Sequence, residues 1–373
     1  MSEATSAGSV TKNLDIQVIR GIAVILVFLH HVRGHLPEFA AYRWMQRNFD
    51  FQVGVDIFFA ISGFVITLSL SRMLARGTAD KLTAPQFKQF WRNRVARLIP
   101  AAFFWAFAAI IAMPFLSTPS GQFNATLASL PFALLNIYNL YFTVCFENNL
   151  LGSWCPSYTA THIYWSLSLE MQFYLLFSVG LVFLRLSHLA ILAGLVACLS
   201  VFIFGDTSDL GAIGKFVYGS FHRGYALILG VLLGVFISGS AAALLSRLSP
   251  ILIVILASAC VVLIAAVPRL LPYYLSNLCI AVLSALLLVL ALKGNTFSGF
   301  IATSLHWLGE RSYSFYLSHT LAIYVIATLA RYAGIFETKS EVLQIGLSFV
   351  AFAVSLLVAD MSYRTVERFG NKR

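Results

Sequence analysis

Charged residues are scarce in this chain of 373 residues: 25 are basic and 15 are acidic, and together they make up 11% of the sequence. Soluble domains usually carry about 25% charged residues. So few charges cannot cover a water-facing surface for a chain that is 59% hydrophobic. The composition therefore excludes a soluble globule and a disordered chain. It favours a protein that crosses a membrane several times.

Cysteine is also rare, with five residues in the whole chain. No Cys-x-x-Cys pair and no metal-ligand spacing occurs, which excludes a disulfide framework and gives no reason to expect a bound metal. Cys198, Cys260 and Cys279 lie singly in apolar runs. Cys145 and Cys155 both fall in the segment 117–161, which we predict to lie on the outer side of the membrane, where a disulfide would be allowed in an oxidising compartment. The sequence leaves that pairing open.

Long apolar runs are abundant, and a bilayer needs about 20 residues for each spanning helix. We predict about ten spans, at residues 16–32, 51–71, 95–116, 163–184, 187–204, 222–238, 250–267, 273–292, 306–330 and 342–362. The runs are too long and continuous for barrel strands. The predicted fold is therefore all-α, a polytopic transmembrane helical bundle. The stretch Phe123–Val144, which contains Pro131, is expected to form a re-entrant or interfacial helix.

No linker or internal repeat divides the chain, so we predict one membrane domain at 14–369 with short tails at 1–13 and 370–373. Basic residues are unevenly placed: segment 117–161 contains no Lys or Arg, whereas the segments predicted on the opposite side hold most of them. The positive-inside rule then predicts that both termini are cytoplasmic. Topology thus accounts for the net charge of +10, and we expect no nucleic-acid partner.

The first span contains Arg20, His30 and His31. Ionisable groups inside a bilayer cost several kcal/mol and are usually functional or paired. Arg20 and His31 are eleven residues apart, which places them about 20° from the same helix face and about 16 Å apart along the axis. His30 points about 100° away from His31. Both histidines could equally be interfacial residues near the outer headgroups.

Other predicted spans also contain ionisable residues, namely Asp56, Glu170 and His319. A buried carboxylate needs a partner or a proton. Asp56 could pair with a His or Arg of a neighbouring helix, or it could complement the dipole at a helix start.

Three arginines, Arg92, Arg94 and Arg97, occur in FKQFWRNRVARLIP before the third predicted span. Arg94 and Arg97 share a helix face, and guanidinium groups bind phosphate oxygens in a bidentate manner. Anchoring by the positive-inside rule also accounts for basic residues here. It does not explain why they are set in a helix that continues into FFWAFAA.

Six blocks of the sequence occur in a characteristic order: LDIQVIRGIAVILVFLHH, GVDIFFAISGF, FWRNRVARLIP, WSLSLEMQFYLLF, SYSFYLSH and SYRTVERF. Together they resemble the membrane-bound acyltransferase family three, which contains bacterial O-acetylases of O-antigen, exopolysaccharide, peptidoglycan and Nod factor. The resemblance covers residues 14–369. It implies a helical membrane bundle that transfers an acyl group, usually acetyl from cytoplasmic acetyl-CoA, to an envelope or exported carbohydrate.

The resemblance also implies site residues. The family's Arg–His pattern of the first helix falls on Arg20 and His31, its Arg-x-Arg pattern falls on Arg92 and Arg94, and its acidic residue falls on Glu170. We expect no C-terminal SGNH-type hydrolase domain beside the membrane domain. The membrane unit is therefore expected to complete the transfer itself or to pass the acyl group to a separate partner protein.

The residues and the resemblance lead to the same mechanistic hypothesis. His31 would act as the general base on a sugar hydroxyl, because imidazole is well matched to that task at neutral pH. Glu170 or Asp56 would orient the imidazole or stabilise its cation. A covalent acyl-histidine intermediate remains open.

The predicted donor is acetyl-CoA or another acyl-CoA, and no permanently bound cofactor is expected. Arg92, Arg94 and Arg97 would hold the CoA phosphates, and the pantetheine arm would run past Arg20. The acceptor would be a carbohydrate or glycolipid, in the lipid bilayer of a bacterial inner membrane. Five aromatic residues of the outer loops could stack on sugar rings, or could belong to the interfacial aromatic belt: Trp44, Tyr138, Tyr141, Trp154 and Tyr158.

Two other classes of function remain. A transporter or flippase for a glycolipid or small anion could use the same intramembrane charges as a pathway. The sequence contains neither the two-fold repeat nor the pair of broken helices typical of such proteins. A structural or sensor subunit would leave the Arg20 and His31 pattern and the arginine cluster unexplained.

Overall fold

The computed structural model describes residues 13–77, 80–116, 122–148, 160–203, 221–237, 245 and 247–367. Over these ranges the chain forms fourteen α-helices and no β-strand, which confirms the predicted all-α class. The helices are α1 Leu14–Val32, α2 Ala40–Asn48, α3 Gly54–Ala75, α4 Ala84–Ala112, α5 Gln122–Leu134, α6 Tyr138–Asn148, α7 Tyr164–Phe183, α8 Leu186–Ile203, α9 Tyr225–Leu232, α10 Pro250–Leu270, α11 Tyr273–Ala291, α12 Gly299–Glu310, α13 Ser312–Tyr332 and α14 Glu341–Ser362.

Seven helical segments within the described ranges are long and apolar enough to cross a membrane. They are Leu14–Val32, Phe51–Ala75, Ala84–Phe115, Tyr164–Phe183, Pro250–Leu270, Ser312–Tyr332 and Glu341–Glu367. Four shorter apolar helices accompany them, at Phe123–Leu134, Leu186–Ser200, Tyr225–Phe236 and Leu275–Ala291. The chain is thus a multi-pass membrane protein. The exact number of spans and the cytoplasmic location of the termini remain predictions.

Close backbone contact joins α1 to α12. A Cβ atom at Gly21 would lie 2.3 Å from the backbone oxygen of Leu305, and one at Gly309 would lie 1.9 Å from that of Gln17. Only glycine permits such an approach, and small residues at helix crossings are a common device for packing membrane helices. This crossing fixes the rotation of α1 and therefore the direction of its polar side chains.

The start of α1 is anchored by polar contacts to the segment between α11 and α12. Asn13 caps the helix by accepting hydrogen bonds from the backbone of Asp15 and Ile16. The fully buried Asp15 carboxylate accepts from the backbone N–H groups of Thr296 and Phe297, at 2.9–3.2 Å. The acidic residue of the LDI block therefore has a structural role.

The predicted span at 306–330 is wrong as a single helix, because the chain breaks at Arg311 between α12 and α13. The Arg311 guanidinium donates to Asp360 of α14 at 2.6 Å and to the Trp307 carbonyl at 3.1 Å. It therefore satisfies a carbonyl near the end of α12 and ties the break to the last spanning helix. Hydropathy alone does not reveal this break.

The predicted single helix over Phe123–Val144 is likewise two helices, α5 and α6. They are separated at Asn136, whose φ of 56° is a left-handed conformation that asparagine tolerates better than most residues.

The third predicted span, 95–116, is helical as expected, but its helix α4 begins earlier, at Ala84. A capping box of Thr83 and Gln86 fixes that start, so the arginine cluster lies well inside α4.

The described cysteines fall into two groups, three with free thiols and one in a disulfide. Cys198, Cys260 and Cys279 are free thiols, whereas Cys145 at the end of α6 is disulfide-bonded. Cys155 lies outside the described residues, so its pairing with Cys145 stays a prediction. Trp154, Tyr158 and the tails at 1–12 and 368–373 also lie outside them.

Candidate active site

His31 lies in the last turn of α1 and contacts a second histidine from α13. Its Nδ1 atom is 2.8 Å from the Val27 carbonyl oxygen and 3.2 Å from Nε2 of His319. The two imidazole rings meet edge to face with centroids 4.9 Å apart. His319 is fully buried, and its Nδ1 lies 2.8 Å from the Tyr316 carbonyl and 3.1 Å from the Phe315 carbonyl.

His31 opens onto a small cavity of about 10 Å³, which we call the histidine pocket. Its lining consists of Val27, His30, His31, Gln52, Val55, His162, Trp165 and Tyr316. His30 therefore also lines the pocket, and its Nδ1 lies 3.8 Å from the Asp50 carboxylate. Burial lowers the pKa of His162, in the turn before α7, to about 3. That imidazole is therefore neutral at physiological pH.

A larger cavity of about 120 Å³, which we call the basic cavity, lies between α1, α3, α4, α7 and α13. Its charged lining residues are Arg20, Arg94, Arg97 and Glu170. Three cations and one carboxylate leave the site with an excess of positive charge. Such a surface suits a ligand with several negative charges.

Hydrogen bonds and ring contacts hold the charged groups of the basic cavity in place. The Glu170 carboxylate accepts hydrogen bonds from Ser62 of α3 and from Tyr174, one turn along α7. The Arg94 guanidinium lies over the Tyr174 ring, 5.0 Å from its centroid, and 5.6 Å from that of Phe90. Arg20 donates to the Gln17 side chain at 3.3 Å.

The two cavities meet at Val55 and Tyr316, which line both of them. The Tyr316 hydroxyl is 2.6 Å from the Ser166 hydroxyl and donates to the Ile163 carbonyl at 3.1 Å. The arginines and the imidazole of His31 therefore lie in adjacent cavities that share Val55 and Tyr316 as lining residues.

Arg92 and Asp56 lie apart from these cavities. The Arg92 side chain is exposed and donates to Gln89 at 3.0 Å, and it is absent from the lining of the basic cavity. The buried Asp56 carboxylate pairs with the buried Arg223 at 3.3 Å. Asp56 thus contacts an arginine, which was one of the two partner types expected from the sequence.

Several residues of the site were not identified as such from the sequence. His319 stood out as an ionisable residue in an apolar run, but nothing in the sequence paired it with His31. His162, Tyr316 and Arg223 gave no signal, because single polar residues near helix ends are common. Tyr138 and Tyr141, considered for stacking on sugar rings or for the interfacial aromatic belt, are buried, which supports neither role for these two residues.

Fold and site together define a polytopic membrane protein in which an arginine-lined cavity meets a histidine pocket inside a helical bundle. Among the described residues, no group of three or more His, Cys, Asp or Glu side chains is arranged to hold a metal ion. The family model described as an acyltransferase domain matches residues 13–364. The chain therefore belongs to this acyltransferase family, which confirms the resemblance carried by the six sequence blocks.

Curated relatives are similar over most of the chain. YrhL of Bacillus subtilis, named provisionally as a peptidoglycan O-acetyltransferase, is 27% identical over 372 residues, covering 94% of this chain and 53% of the relative. The peptidoglycan O-acetyltransferase OatA of Listeria monocytogenes is 27% identical over 389 residues, covering 95% and 55%. The chain thus spans about half the length of these two relatives. No solved structure matches it significantly.

Proposed function

We propose that this protein transfers an acyl group, acetyl from acetyl-CoA, to a hydroxyl of an envelope or exported carbohydrate, and that it does so in a bacterial inner membrane. The observation that carries the proposal is that the basic cavity and the histidine pocket lie side by side and share Val55 and Tyr316 as lining residues. One end offers cations for a phosphorylated donor, and the other offers a base for a hydroxyl acceptor. The names of the relatives support peptidoglycan as the acceptor class.

The donor would enter the basic cavity with its phosphates on Arg94 and Arg97, which project from one face of α4. Arg20 lines the same cavity, about 16 Å along α1 from His31. A donor with an elongated arm that carries the acyl group at its end would span the distance from these arginines toward His31. Arg92, outside the cavity lining, would assist at most as a cation near the entrance.

The reaction at the histidine pocket would use His31 as general base. Its Nε2 atom takes the proton of the acceptor hydroxyl while the hydroxyl oxygen bonds to the thioester carbonyl carbon. The carbon–sulfur bond then breaks, and the CoA sulfur leaves with the proton returned by the imidazolium. An acyl-histidine intermediate would use the same imidazole as nucleophile.

The proposal is tested with membranes from cells that do or do not contain the full chain. Acetyl-CoA labelled in the acetyl group should be consumed faster by membranes with the protein, and label should appear in base-labile esters of purified peptidoglycan or surface polysaccharide. Equal consumption by both membranes, with an unchanged ester content, would overturn the proposal. Glycolipid translocation without any ester formation would favour the flippase alternative.

Glu170→Gln should leave expression unchanged but lower turnover by roughly tenfold or more, a loss of about 1.4 kcal/mol of transition-state stabilisation. The substitution keeps the size of the side chain and its contacts with Ser62 and Tyr174, but removes the carboxylate charge that balances the arginines of the basic cavity. Turnover normalised to protein in the membrane is the measurement. Glu341→Gln, at the exposed start of α14, is the matched control. Full activity of Glu170→Gln would reduce Glu170 to a packing role.

A further inference from the structure

We propose that His319 is a positioning residue that fixes His31 in the tautomer whose Nε2 atom is the base. The inference rests on the proposed function, because it assigns a role within the same reaction. It draws on the four hydrogen-bond contacts that the two rings make.

The protonation of His319 follows from its surroundings. Its Nδ1 faces two carbonyl oxygens, of Tyr316 at 2.8 Å and of Phe315 at 3.1 Å. A carbonyl only accepts hydrogen bonds, so Nδ1 must carry a hydrogen. In the neutral ring, Nε2 then has a free lone pair and is a hydrogen-bond acceptor.

The tautomer of His31 follows in the same way. Its Nδ1 faces the Val27 carbonyl at 2.8 Å and Nε2 of His319 at 3.2 Å. Both partners are acceptors, so His31 Nδ1 carries the hydrogen, and Nε2 of His31 is left unprotonated. A protonated His319 would instead turn a donor toward His31 Nδ1, which would then lack the hydrogen needed for Val27. Two neutral rings therefore satisfy all four contacts at once.

This arrangement gives His319 the task that a carboxylate performs in many catalytic triads. When Nε2 of His31 takes the hydroxyl proton, the resulting imidazolium keeps its Nδ1 hydrogen on His319 and Val27, and His319 stays neutral. The proton later leaves from Nε2 to the CoA sulfur. The two carboxylates considered for this role are engaged elsewhere, Asp56 with Arg223 and Glu170 with Ser62 and Tyr174.

Three substitutions at His319 separate positioning from packing. A glutamine places its terminal amide near the former Nε2 and can still accept from His31, whereas an asparagine ends near the former Nδ1 and cannot reach it. We expect His319→Leu and His319→Asn to lower kcat by roughly 10- to 100-fold, the usual cost of losing an orienting partner. His319→Gln should restore most of the turnover. The affinity for acetyl-CoA should be unchanged in all three, because the arginines of the basic cavity are untouched.

A double substitution tests whether His319 acts through His31. If it does, the residual activity of the His31→Ala and His319→Leu double variant should equal that of His31→Ala alone. His306→Leu, on α12 and absent from the lining of both cavities, controls for the loss of a membrane histidine. Wild-type protein must consume acetyl-CoA in the same assay, since its failure would remove the proposed function itself.

Three results would overturn the role of His319 while leaving the proposed function standing. The first is full activity of His319→Leu. The second is equal activity of the glutamine and asparagine variants with acetyl-CoA binding intact, a comparison that remains available if the leucine variant does not insert. The third is additive loss in the double variant.

Discussion

Replacing His31 with alanine should lower turnover by roughly 10²–10⁴-fold, the range typical for loss of a general base. The imidazole lines the histidine pocket, and its Nδ1 is held by Val27 and His319. Removing it leaves the acceptor hydroxyl with no positioned group to take its proton. Acetyl-CoA binding should survive, because the phosphates would be held by the arginines of the basic cavity. Single-turnover acetyl transfer and equilibrium binding, measured on the same reconstituted protein, separate the two effects.

The chain provides two matched controls for this substitution. His30 precedes His31 on the same helix, and His162 lines the same pocket. The proposed base is His31, whose Nδ1 lies 3.2 Å from His319 Nε2, so His30→Ala and His162→Ala should retain far more turnover than His31→Ala. Each variant is first checked for insertion and for acetyl-CoA binding. An inactive His30→Ala beside an active His31→Ala would transfer the role of base to His30 and its neighbour Asp50.

The second large effect is expected on donor affinity. Arg94→Ala and Arg97→Ala should each weaken acetyl-CoA binding by roughly 10- to 100-fold, because a hydrogen bond to a charged group contributes about 1.5–3 kcal/mol. Both side chains line the basic cavity, where few other groups can neutralise phosphate charge. Arg94→Lys should not restore full affinity, since lysine lacks the planar fork that binds phosphate and stacks on Tyr174. The measurement is the Kd of acetyl-CoA on purified protein.

Arg92 is the matched control for this prediction. It belongs to the same helix and carries the same charge, but its side chain is exposed and lies outside the cavity lining. Arg92→Ala should therefore change the Kd much less than Arg94→Ala does. The sequence alone assigned phosphate binding to both residues. If Arg92→Ala weakened binding as strongly as Arg94→Ala, the phosphates would have to lie nearer the entrance than the cavity suggests.

The helical bundle was predictable because its cause is local. A run of about 20 apolar residues must satisfy its backbone internally in lipid, whatever the rest of the chain does. The ten predicted runs accordingly overlap the long helices and three of the four shorter apolar ones. The breaks at Asn136 and Arg311 were not predictable, since each depends on a specific residue and, at Arg311, on a distant carboxylate on α14.

The sequence by itself determined the candidate residues of the site: an arginine and a histidine on one face of α1, an acid in α7 and a row of arginines on α4. Helical spacing and the cost of charge in lipid are properties of short segments, so they can be read without a fold. Tertiary structure alone decided their partners. It joined His31 to His319 across 288 positions, paired Asp56 with Arg223 and turned Arg94, but not Arg92, into the basic cavity. These choices depend on how the helices cross, which contacts such as that of Gly21 with Leu305 fix.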